Sequence, residues 1–149
     1  MKKNKQHIVD NKNGDCFRAC LTSILGIPND KKLPNVSQKD WWSQWDNLLK
    51  YLGLEIVYRP KDCWMNGYWI ASVKSKNFKN TTHAIVMNGL NVAFDPSTKK
   101  RYRTGQSLLG KDVVQGGYSL VVNDASKLHR LQQIVFLYEN TAPFLTPNH

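Results

Sequence analysis

The sequence predicts an α+β domain in which a helix carrying a cysteine at its start packs on an antiparallel β-sheet. Three observations lead there. From Cys16 onward the apolar residues Phe17, Cys20, Leu21, Ile24 and Leu25 recur at the spacing of one helical face. A second stripe, Trp41, Trp45, Leu48, Leu49 and Leu52, follows after a turn-rich connection. Beyond it the pattern changes to short β-prone runs bounded by Gly, Pro, Asn, Asp and Ser, and two helices followed by such strands form a layered α+β fold. The 149 residues suffice for one domain with a sizeable core and are too few for two ordinary ones.

Residues 1–12 form an N-terminal segment, and Gly14-Asp15 makes a turn that delivers Cys16 onto the first helical turn. Gly26 ends this helix, and Ile27-Pro28 with NDKKLPN connects to the next. Ser37 reads as the N-cap of the second helix, with Asp40 as a shortened capping-box partner and Gly53 as the stop. Trp42 falls off the apolar face of that helix. The strand runs are 54–58, 67–73, 83–87, 91–94, 118–122 and 134–139. Segments 59–66 and 74–82 read as loops, and 97–117 as a polar excursion with at most a short helical piece at Gln106–Leu109. A short helix through Leu128 and Leu131 fits 123–133, and 141–149 reads as a loose tail.

No apolar run approaches the roughly 20 residues of a membrane span. The N-terminal MKKNKQHIVD is basic but lacks the apolar core of a secretory signal, so a cytoplasmic protein is expected. Three cysteines at 16, 20 and 63 contain no CxxC pair and four histidines are scattered, which speaks against a zinc site and against a disulfide framework. No metal or cofactor is implied. The formal charge of +10 admits an acidic partner. Lysines and arginines are spread over 2–5, 31–32, 74–79 and 99–103, and no helix or strand bears a continuous basic stripe, so a solvated surface is favoured over a nucleic-acid footprint.

The chemistry concentrates in two stretches. Cys16 at a helix start meets unpaired amide N–H groups and the positive end of the helix dipole, both of which favour a thiolate. In THAIVMNGLNVAFDPS (82–97), two apolar runs flank Asn88-Gly89, a hairpin signal. A three-residue loop at 88–90 pairs His83 directly with Asp95 on one face; a two-residue loop turns them to opposite faces. A histidine oriented by a carboxylate beside a helix-borne cysteine is the set of parts that a cysteine nucleophile needs. An oxyanion requires donors as well. The Cys16 N–H is one, and Gln6, the only glutamine upstream, is the candidate for the other, although Asn11 and Asn13 are nearer in sequence. Asp15, Trp42 and Thr82 are candidate substrate-groove residues.

The order Gln6, GDCFRACL at 14–21, LGIP at 25–28, a helix, HAIV at 83–86 and DPS at 95–97 resembles papain-like cysteine peptidases. It is most similar to the small bacterial and phage branch related to the bacteriocin-leader peptidase domains, and the likeness spans roughly residues 6–97. The resemblance implies a papain-like fold with Cys16 as nucleophile, His83 as general base, Asp95 as orienting acid and Gln6 as oxyanion donor.

A cysteine hydrolase acting on an amide bond of a protein or peptide, through a thioester at Cys16, is therefore the expectation. Water or an amine can resolve a thioester, so deamidation and transglutamination use the same signals. A degenerate binding module for an acidic partner is the reading from another class, and nucleic-acid binding is the weakest.

Overall fold

A computed structural model of the chain describes residues 1–10, 14–60, 66–108 and 113–134, apart from the side chains of 113–115. Two helices precede a five-stranded sheet: α1 (Cys16–Leu25), α2 (Trp41–Tyr51), β1 (Leu54–Arg59), β2 (Tyr68–Lys74), β3 (Thr82–Asn88), β4 (Asn91–Phe94) and β5 (Val113–Val122), with a short 3₁₀ turn at Ala125–Lys127. The sheet is antiparallel throughout, in the order β1-β5-β2-β3-β4. This is the α+β arrangement expected from the periodicities.

Helix α1 lies against β3 and β2, and α2 against β1. Gly26 stops α1 in the left-handed conformation at φ 74°, where a glycine has no Cβ penalty. The core between helices and sheet includes Leu21, Leu25, Trp45, Leu49, Ile70 and Val86. Fully burying one such side chain contributes about 1.5–3 kcal/mol. Helix α1 is covered on more than its apolar stripe, since Arg18, Ala19, Thr22 and Ser23 are buried as well. The N-terminal segment does this: Asn4 N bonds Ser23 Oγ at 3.0 Å, Asn4 Nδ2 bonds Thr22 Oγ1 at 3.1 Å and Lys2 N bonds Ser23 O at 3.0 Å.

The second face of the sheet is buried too, in a cluster of Trp69, Ala71, Val73, Ile85, Met87 and Val92 capped by Tyr102 and Leu108. The excursion after Ser97 is thus a cover. Its Gln106–Leu108 part is extended, not helical, with Val92 N bonded to Gln106 O at 2.8 Å and Leu108 N to Leu90 O at 3.0 Å. Strand β5 begins at Val113, inside the stretch read as loop, because Gly116 and Gly117 serve the sheet instead of ending it. At Gly117 a Cβ would sit 2.1 Å from Ile70 O and 2.7 Å from the Trp69 ring, so only glycine lets β5 approach β2 there.

Two further expectations change. Helix α2 starts at Trp41 with Asp40 in the N-cap position, at φ 59° and without a side-chain cap, so Ser37 is not its N-cap. Ile134 is helical, which removes the start of the strand expected at 134–139; the rest of that run, the 141–149 tail, Cys63, Asn11 and Asn13 lie outside the described residues. Cys16 and Cys20 are free thiols.

Candidate active site

Cys16 occupies the first residue of α1, where helix geometry leaves its amide N–H without an intrahelical acceptor. The residue before it has a capping side-chain type but does not cap. Asp15 is fully buried and turned inward: its carboxylate accepts from His7 N, Ile8 N and Asn29 Nδ2, each at 3.0 Å, and pairs with the buried Arg18 at 3.2 Å. Burial alone would raise its pKa, but the hydrogen bonds from His7, Ile8 and Asn29 and the Arg18 charge outweigh it and hold the carboxyl below its usual range. Asp15 therefore does not line a groove; it fastens the N-terminal segment to the start of α1 and leaves the helix end open toward the cleft.

That fastening places Gln6. Residues 6–8 run beside Asp15, whose own N–H bonds Ile8 O at 3.3 Å, while Gln6 N bonds Pro96 O at 2.8 Å. Ten residues of separation are thereby folded back, and Gln6 is buried in the wall of the cleft that also holds Cys16 and His83. Its Nε2 donates to Ile8 O at 2.9 Å, and its Oε1 is buried with no hydrogen-bond partner. An amide NH₂ has two donors, so one N–H is available to the cleft.

His83 reaches the same cleft from the start of β3 and is buried. Its Nε2 bonds Asp95 Oδ1 at 2.7 Å. Cys16 lines the same cleft and is close enough to the ring to act on it electrostatically. Asp95 is held in turn: Oδ1 accepts from Ser97 N at 2.9 Å and Oδ2 from Tyr102 N at 2.8 Å. Burial lowers the pKa of His83, but the hydrogen bonds to Asp95 and Cys16, with the charges of both, overcome it and raise the imidazole from 6.5 to about 9. The imidazolium is thus the favoured form near neutrality.

The register that brings His83 and Asp95 together differs from the three-residue loop expected. The hairpin pairs Asn88 with Asn91 and Met87 with Val92, a two-residue loop at Gly89-Leu90. Alone, this would put the two side chains on opposite faces. A bulge at Ala93 inserts one residue, so that Val86 pairs with Phe94 and the next position, Asp95, falls on the His83 side, diagonal to it.

The cleft has a volume of about 260 Å³. Phe17 and Tyr118, in edge contact at 5.7 Å, form an aromatic wall, and Ser72, Asn77 and Thr82 supply polar groups opposite. Thr82 is thus a cleft residue. Trp42 is 39% exposed and stacks on Phe17 and Tyr118 at 6.2 and 5.5 Å without lining the cleft; it extends the aromatic wall outward. Ser72, Asn77 and Tyr118 carry no motif in the sequence, and Phe17 reads there as a core residue of the first helix. Among the described residues no Lys or Arg lines the cleft, despite the net charge. Among the described residues no group of His, Cys, Asp and Glu could hold a metal ion, and no helix is long and apolar enough to cross a membrane. The chain matches no protein-family model, no curated protein and no solved structure.

Proposed function

We propose that the protein is a papain-like cysteine hydrolase that cleaves an amide bond of a peptide or protein through a thioester at Cys16. The observation that carries this reading is that Cys16, at the start of α1, shares one cleft with His83, whose ring is bonded to the buried Asp95 at 2.7 Å. His83 holds the proton that the thiol has given up, the Cys16 sulfur attacks the carbonyl carbon as the thiolate, and the oxyanion is met by the Cys16 N–H and the side-chain amide of Gln6. His83 returns the proton to the leaving amine. It then takes a proton from the water that hydrolyses the thioester. Asp95 holds the tautomer and balances the imidazolium throughout.

The test is alkylation of the folded protein with iodoacetamide near neutral pH, with the labelled residues mapped by mass spectrometry. Cys16 is expected to react at least about tenfold faster than Cys20, since reactivity follows thiolate character and exposure. Cys20 is fully buried, and its pKa is raised by burial first and by the nearby Cys16, Asp95 and Asp15 charges after it. Hydrolysis of a quenched peptide library, lost in Cys16→Ala, establishes the reaction. Equal and slow labelling of both thiols would sink the proposal. Ammonia release without peptide cleavage would assign the same thioester to deamidation.

A further inference from the structure

The two densest basic runs of the sequence, KKNK at 2–5 and KKRYR at 99–103, are far apart in the chain, and the fold brings them together. Lys3, Arg101 and Arg103 surround one concavity of about 550 Å³, floored by Phe94, Asp95 and Tyr102. Outside the hollow, Lys76 packs on Tyr102, its Nζ 4.4 Å from the ring centre. Lys3, Arg101 and Arg103 form no ion pair among the described residues. The backbone that displays them is fixed by several bonds. Asn77 exchanges two with Lys100, both at 3.0 Å; Tyr102 N is bound to Asp95, and Gly105 N to Val92 O at 2.7 Å. On the other side, the bond from Gln6 N to Pro96 O ties the segment that carries Lys3 to the end of β4. Three cations that converge on a pinned backbone around one carboxylate, itself bonded to His83, Ser97 N and Tyr102 N, leave a net positive, preorganised anion site.

We infer that this concavity docks an acidic, Asp/Glu-rich stretch of a polypeptide, outside the cleft that holds Cys16. Two observations favour a polypeptide over a nucleic acid. The cations line one confined hollow, whereas a phosphate backbone is followed by an extended basic groove. No stacking platform is offered either, because Phe94 and Tyr102 are buried and the Tyr102 hydroxyl is bonded to Lys74 O at 2.7 Å. The choice of a polypeptide also rests in part on the peptidase reading, since a substrate chain would have to leave the cleft and would meet the basic hollow beyond the His83–Asp95 pair.

Binding of a fluorescein-labelled oligoglutamate peptide, followed by anisotropy, tests this without reference to activity. The triple variant Lys3→Glu/Arg101→Glu/Arg103→Glu is expected to bind on the order of tenfold more weakly or worse, and Lys3→Gln/Arg101→Gln/Arg103→Gln to show an intermediate loss. The charge-matched control Lys31→Glu/Lys32→Glu/Lys39→Glu and the Cys16→Ser variant should stay within about twofold of wild type. Circular dichroism establishes that each variant is folded. Equal losses in the two glutamate triples would show only net charge and overturn the proposal, as would the absence of binding. Tighter binding of labelled oligothymidylate with the same dependence on Lys3, Arg101 and Arg103 would reassign the face to nucleic acid. Slow labelling of Cys16 together with intact oligoglutamate binding would refute the hydrolase and leave the docking site standing.

Discussion

Asp95 accepts from His83, from Ser97 N and from Tyr102 N at once, a task that an asparagine of the same shape cannot perform because its NH₂ must face one of these donors. Asp95→Asn is therefore expected to cost about 1–3 kcal/mol of stability, read from the urea midpoint. It also removes the first of the two hydrogen bonds that raise His83, and burial then pulls the imidazole down from about 9. If His83 acts as the acid that protonates the leaving amine, the basic limb of kcat/KM for peptide hydrolysis lies near pH 9 in the wild type and moves to lower pH in Asp95→Asn. A limb that stays in place would remove His83 from that role. Stability follows the same linkage. The folded-state pKa of about 9 exceeds the ordinary 6.5, so the His83 contribution is fully present below pH 6.5 and is lost as pH rises through 9. The urea midpoint should fall across that window in the wild type and lose that part of its slope in His83→Ala.

At the scale of elements, the helices and four of the strands were legible because each has a clear period: 3.6 in α1 and α2, short apolar runs in β1 to β4. What was not legible depended on local exceptions. Gly116-Gly117 falls within the stretch read as a polar excursion but belongs to β5, and Asp40 takes a left-handed conformation that moves the start of α2 past Ser37. The Ala93 bulge is the exception that matters for the site, since hairpin rules alone gave either the wrong loop or the wrong face. Cys16, His83 and Gln6 were legible as residue types at suggestive positions; the inward turn of Asp15 was not, because its four partners come from residues 7, 8, 18 and 29. Two substitutions test these elements. Gly117→Ala should wedge β5 from β2 and cost about 1–3 kcal/mol, measured as a lower urea midpoint. Asp15→Ala leaves a buried guanidinium and two backbone donors unpaired, for a loss of about 3–5 kcal/mol. Because the same carboxylate positions the segment that bears Gln6, Asp15→Asn should reduce peptide hydrolysis by more than its change in melting temperature explains. Activity unchanged in a folded Asp15→Asn protein would separate Gln6 from catalysis.

Over the whole molecule, charge is segregated. The described lysines and arginines lie outside the cleft, and Lys3, Arg101 and Arg103 converge on one hollow, an arrangement that only the fold creates. Composition could report the amount of charge but not its separation from Cys16. The separation has a kinetic consequence that two thiol reagents of similar size and opposite electrostatic character can read. Iodoacetamide is neutral and should alkylate Cys16 at a rate that hardly changes with salt. Iodoacetate is an anion drawn by the positive field of the protein, and that long-range attraction is screened as the Debye length falls from about 10 Å at 0.1 M to about 3 Å at 1 M salt. The iodoacetate-to-iodoacetamide rate ratio should therefore decline severalfold across that range. The Lys3→Glu/Arg101→Glu/Arg103→Glu variant, with its formal charge lowered from +10 to about +4, should begin from a lower ratio and lose most of the salt dependence. Its iodoacetamide rate should stay at the wild-type value, because none of the three residues lines the cleft. A ratio independent of salt in both proteins would mean that the basic face does not act on anions approaching Cys16, and its use would then be confined to partners that bind at the hollow itself.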